Sequence, residues 1–159
     1  MHVIRGGNEV VDVTSLGDDV FVVRRECRQK IEVYDATTFT LQRHIIVRGL
    51  GAWCHGLAAC LYNKCLYASD HYNDSVHRVE LSGSNAVMKW SVARGPTGLS
   101  VNSEHNLIVV SFSESKLQIF TTRGTLLQDI QLQADMRGAW HAVQLPSTCL
   151  LYTSPSPRD

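Results

Sequence analysis

Three stretches of this sequence can be laid over one another, and that repetition constrains the fold more than any other feature of the chain. Val20-Phe21-Val22-Val23, Leu66-Tyr67-Ala68-Ser69 and Ile108-Val109-Val110-Ser111 set the register. Nine residues before each block stands an apolar residue, Val11, Leu57 and Leu99, the last two inside Gly56-Leu57-Ala58 and Gly98-Leu99-Ser100. After each block comes an alternating segment: Ile31-Glu32-Val33-Tyr34, Val76-His77-Arg78-Val79 and Leu117-Gln118-Ile119-Phe120. A fourth stretch closes each unit, at 41–47, 87–92 and 126–132. The units therefore run 10–50, 51–95 and 96–138, and a fourth opens at Ala139.

Within a unit, β-branched and aromatic residues alternate with polar ones over short runs, and Gly, Asn, Asp and Ser punctuate them. Each unit thus reads as four short strands. No segment carries helical periodicity with caps at both ends. The fold class expected is all-β. Four strands at a period near 43 residues is the spacing of β-propeller blades, in which a small sheet gains stability only by packing its faces on its neighbours. The chain provides about three and a half of the roughly 4 to 8 blades that close a propeller, so the remaining blades are taken to be missing from it, and 1–148 to be an incomplete propeller.

Composition excludes other classes. Lys and Arg number 15 and so do Asp and Glu, which leaves no charge excess to drive non-specific nucleic-acid or membrane binding. No apolar run approaches the ~18 residues of a membrane span, and the N-terminal residues lack a signal-peptide core, so a cytoplasmic location is the default expectation. The final segment, Cys149 to Asp159, breaks every upstream pattern and holds two of the four prolines. Its codons can be written as the adapter that transposase-based sequencing libraries attach to DNA, translated in frame. It is accordingly expected to be an artefactual tail, not a domain.

Gly56-Leu57-Ala58, Cys65-Leu66-Tyr67-Ala68-Ser69-Asp70, Asn73-Asp74-Ser75-Val76-His77-Arg78-Val79 and Gly83 together resemble an NHL repeat. Pro96-Thr97-Gly98-Leu99, Ile108 to Ser111, Lys116 to Phe120 and Gly124 resemble it again. The first unit is weaker, and the Asp that ends the second strand of the repeat is kept only as Asp70, with Arg24 and Phe112 read in its place elsewhere. The resemblance implies a six-bladed, TolB-like propeller, commonly a protein-interaction platform, sometimes an RNA binder, occasionally an enzyme with a metal in its channel.

In such a propeller the loops between blades and those between second and third strands share one face around the channel mouth. This gives a candidate partner-binding face of Arg24, Arg25, Arg28, Trp53, His55, Tyr72, Asn73, Arg94, Trp140 and His141, with His71, Thr97, Ser113 and Glu114 nearby. Aromatic and Arg side chains are what interface hot spots favour. The leading expectation is a non-enzymatic scaffold that binds a protein or peptide, without a cofactor. One alternative is RNA binding, in which Arg24, Arg25 and Arg28 grip phosphates and Trp53 and Tyr72 stack bases. Another is a lyase or lactonase-like enzyme; NHL-like amidating lyases use His from several blades, and His55 with His141 would be the candidate ligands here. Ser69-Asp70-His71 contains triad residue types but cannot converge along one strand. Cys60 and Cys65 bracket a four-residue hairpin and would lie within disulfide range in an oxidising compartment.

Overall fold

The computed structural model describes residues 9–25, 29–51, 55–82, 85–133 and 138–144, together with the backbone of 151–155. It contains three four-stranded antiparallel sheets, each a simple meander. The first is β1 (Val10–Ser15), β2 (Val20–Arg25), β3 (Lys30–Asp35) and β4 (Leu41–Ile46). The second is β5 (Leu57–Cys60), β6 (Cys65–Asp70), β7 (Ser75–Glu80) and β8 (Val87–Ser91). The third is β9 (Pro96–Val101), β10 (Leu107–Ser111), β11 (Lys116–Phe120) and β12 (Leu126–Gln131). β13 (Ala139–Gln144) begins a fourth sheet, and no helix occurs among the described residues.

The strands that open each sheet lie side by side. β5 touches both β1 and β9, and β9 touches β13. Side chains clip them together: Leu57 N–H donates to Asp12 Oδ2 at 2.6 Å, and Ser100 Oγ donates to Ala142 O at 2.5 Å. These four strands are the innermost ones. They line a cavity of about 330 Å³, in which Asp12, Thr14, Ser100 and His141 stand among apolar residues such as Leu57 and Leu99. β4, β8 and β12 form the solvent-facing rim.

The apolar residues sort into three clusters, one for each junction between sheets. Val22, Ile31 and Ile45 meet Leu66, Ala68 and Val79; Tyr67 and Val76 meet Leu107, Val109 and Phe120; Ile108, Val110 and Leu117 meet Ala139 and Ala142. A strand inside such a stack is covered on both faces. That is why β6 and β10 are buried at every position and read as near-continuous apolar runs, while the rim strands are mostly exposed.

The repeat alignment needs a correction in register. β6 and β7 close their hairpin at Asp70 opposite Ser75, and β10 and β11 at Ser111 opposite Lys116, each around a four-residue turn. Ser111, not Phe112, is therefore the counterpart of Asp70. In the first sheet Val22 and Arg24 face the second sheet, as Tyr67 and Ser69 face the third, which puts Arg25 and not Arg24 at the Asp70 position. A slip of one residue turns every side chain of a strand to the opposite face. Strand identity survives such a slip, but the interface each side chain enters does not.

Two glycines mark where the inner strands crowd. A Cβ on Gly56 would fall on Thr97 O and lie 3.1 Å from Leu99 N; one on Gly98 would fall on Trp140 O and lie 2.7 Å from His141 Cα. The Gly-Leu pair of the repeat thus exists because the next blade's backbone occupies the space of a side chain. β14 (Leu151–Pro155) pairs antiparallel with β13, from Ala139 opposite Pro155 to Gln144 opposite Leu151. It lies within the segment read as foreign. A sheet edge offers only backbone donors and acceptors, and so accepts an extended segment of any side-chain content.

Candidate functional site

The loops entering each sheet and those joining second to third strands converge at one end of the inner strands. His55, just before β5, packs its ring against His71 with centroids 5.3 Å apart and against Trp140 at 5.2 Å. His71 meets Tyr72 at 5.7 Å, and Trp140 meets Phe112 at 6.1 Å. Loops or strands of three blades thereby contribute to one aromatic and imidazole cluster. Tyr72 and Phe112 are its open members, 64% and 40% exposed. Burial pushes the His55 imidazole below its ordinary pKa, and the neighbouring His71 lowers it further, so His55 is neutral at pH 7.

Around this cluster the polar residues are largely engaged. Arg94 is exposed and pairs with Glu114 at 3.6 Å, while Glu114 also accepts from the Arg94 backbone N–H. Asn73 is exposed, yet its Nδ2 donates to Asp70 Oδ2 at 2.9 Å and so serves the fold. Thr97 is buried, its hydroxyl donating to Val110 O.

Trp140 and His141 are neighbours on β13 and so point to different sides. His141 lines the cavity between the inner strands together with Asp12. Burial raises the pKa of Asp12, against the hydrogen bonds from Leu57 and Val13 and the field of His141 that lower it. His55 and His141 therefore serve different surroundings. Among the described residues no three His, Cys, Asp or Glu side chains gather as a metal site.

The basic cluster requires a larger correction. Arg24 and Arg25 are read from the sequence as members of the partner-binding loop face; both end β2 and are 0% and 3% exposed. Arg25 donates to Glu32 Oε2 at 2.8 Å, and Tyr34 donates to the same oxygen. Burial alone would raise the Glu32 pKa, but these two bonds hold it low. Arg24 turns into the junction between the first two sheets. Its Nη2 donates to Gly51 O at 3.0 Å, and Gly51 N–H donates in turn to Asp70 Oδ2 at 2.9 Å. His77 Nε2 stands 3.4 Å from that oxygen, within ion-pair range but not aligned as a hydrogen bond. Burial would raise the Asp70 pKa, but bonds from Asn73 and Gly51 hold it down; burial depresses His77 despite Asp70. Neither Arg24 nor Arg25 is presented to a phosphate backbone. Arg28 and Trp53 lie outside the described residues.

Phe112 and Asp12 were not singled out as site residues in the sequence. Phe112 directly follows the second strand of its unit, where the loop face begins. Asp12 stands at a polar position of an innermost strand. Each position was available from the repeat, but neither residue type is chemically distinctive there.

The sequence matches no protein-family model and no curated protein. Among solved structures, hydrazine synthase of Kuenenia stuttgartiensis superposes with a TM-score of 0.74 at 15% identity, over 88% of this chain and 40% of that one. Virginiamycin B lyase from Staphylococcus aureus gives 0.70 at 13% identity, over 94% and 56%. The WD40 β-propeller domain of Doa1 gives 0.72 at 12% identity, over 92% and 48%. The fold is that of β-propeller blades. The described strands form three four-stranded sheets and one two-stranded sheet, and the chain spans about half the length of the solved structures it matches. A lyase and a WD40 propeller domain both stand among these neighbours, and fold does not select a function.

Proposed function

We propose that the chain is part of a non-enzymatic propeller scaffold whose loop face at the channel mouth binds a protein or peptide. The carrying observation is the cluster of His55, His71, Tyr72, Phe112 and Trp140, drawn from three blades and open through Tyr72 and Phe112. Aromatic surface held rigidly by neighbouring rings is what binding hot spots require, because little side-chain entropy remains to be lost on docking. Neutral His55 adds apolar contact without repelling a cationic side chain. The test is selection of displayed peptides against the folded chain, followed by affinity measurement with Tyr72→Ala and Phe112→Ala. Loss of at least about tenfold in either variant is expected. Peptides that bind both variants as tightly as the parent place the binding surface elsewhere and overturn the proposal.

A channel enzyme is the second reading. It draws on the likeness to virginiamycin B lyase and on Asp12 and His141 lining the cavity between the inner strands. Stoichiometric metal retained by the chain, and lost in His141→Ala, would favour it over the scaffold.

A further inference from the structure

Cys60 and Cys65 sit at the end of the β5–β6 hairpin opposite to the one that carries His55 and His71. The register pairs them directly across the two strands. Directly opposed residues of an antiparallel pair have Cα atoms about 4.5–5.5 Å apart. That lies inside the roughly 4.4–6.8 Å a disulfide spans. Both side chains enter the same junction, between the second and third blades, so the sulfurs share one face. Both are free thiols.

Their surroundings are polar on one side. Asn63 Nδ2 donates to Cys60 Sγ at 3.3 Å. Burial raises the Cys65 thiol pKa, with the Tyr67 hydroxyl and the Arg78 guanidinium opposing it. The turn next to Cys60 is open, with Leu61 57% and Tyr62 74% exposed, so a small molecule approaching the buried pair meets the hairpin tip first.

We propose that Cys60 and Cys65 are an oxidisable dithiol that closes to an intrachain disulfide by exchange with a small disulfide such as oxidised glutathione. The Cys60 thiolate attacks one sulfur of the reagent and expels a glutathione thiolate, leaving a mixed disulfide. The Cys65 thiolate then attacks the Cys60 sulfur and expels the second glutathione. Two protein thiols are oxidised, one reagent disulfide is reduced to two thiols, and the two protons leave with the glutathione. The bond would staple β5 to β6 and so fix the strands that end at His55 and His71.

The experiment uses the full chain with Cys27→Ser, Cys54→Ser and Cys149→Ser, equilibrated in glutathione redox buffers and quenched with acid. Mass spectrometry should find loss of two hydrogens, no retained glutathione, and a peptide linking Cys60 to Cys65. Adding Cys65→Ser should instead trap glutathione on Cys60. The equilibrium constant for closure should be at least about tenfold larger in native buffer than in denaturant, because the folded register holds the thiols together. That comparison needs no further variant. An equal or smaller constant in native buffer, or glutathione retained on both cysteines, would overturn the proposal.

Discussion

Replacing Gly98 by Ala sets two effects of opposite sign against each other. Gly98 lies within β9 and is not among the glycines with positive φ, so alanine can adopt its backbone conformation. Where that is true, Gly→Ala stabilises by roughly 0.4–1 kcal/mol, through the entropy removed from the unfolded chain. The added Cβ, however, would fall on Trp140 O, 2.7 Å from His141 Cα and 2.8 Å from His141 Nδ1. Two of those atoms are backbone, so relief requires β13 to move as a strand and not merely a side chain to rotate. Overpacking of this kind costs about 1–3 kcal/mol. The clash wins, leaving a net loss of about 1–2 kcal/mol. At roughly 2–4 °C per kcal/mol for a chain of this size, Tm should fall by about 2–8 °C. Calorimetry, with a check that calorimetric and van't Hoff enthalpies agree, measures it. A Tm equal to or above the parent's would mean that β13 does not pack against Gly98, and the reasoning about the inner strands would fail with it.

Three further outcomes follow from the buried junction and the histidines. Arg24→Met should leave stability within about 1 kcal/mol of the parent, because Arg24 Nε and Nη1 have no partner and only one backbone bond is lost. Asp70→Ala should cost about 2–3 kcal/mol in urea unfolding, since the donors of Gly51 and Asn73 are then left unpaired beside Arg24; similar losses in both variants would contradict this account. The folded pKa values of His77 and His55 lie below the ordinary value of about 6.5. As pH falls through that value, the unfolded chain therefore takes up protons before the folded one does, and stability drops. Tm measured between about pH 7.5 and pH 5.5 should decline, less steeply in His77→Gln with His55 still contributing; an unchanged slope in the variant would exclude His77 as a source.

The candidate site was partly legible in the sequence. His55, Tyr72 and Trp140 belong to loop-face positions that the repeat itself identifies, and the structure draws them together with His71 and Phe112. Arg24 and Arg25 were misread because a run of basic residues looks solvated when its partners are distant. Arg25 meets Glu32 across a hairpin, and Arg24 meets Gly51 from the next blade. Nothing local distinguishes such an arginine from an exposed one.

The sequence alone determines four strands per unit, their order, and the glycines of the inner strands, since periodicity, turn residues and repeat spacing are properties of neighbours along the chain. Which face of each strand meets which blade was decided only by the tertiary structure. A shift of one residue leaves the pattern of β6 or β10 little changed, because strands covered on both faces are buried at every position and apolar along most of their length. The pairing of Arg24 with Ile31, of Asp70 with Ser75 and of Ser111 with Lys116 fixes the register, and with it the junction into which Arg24, His77 and the two cysteines are turned.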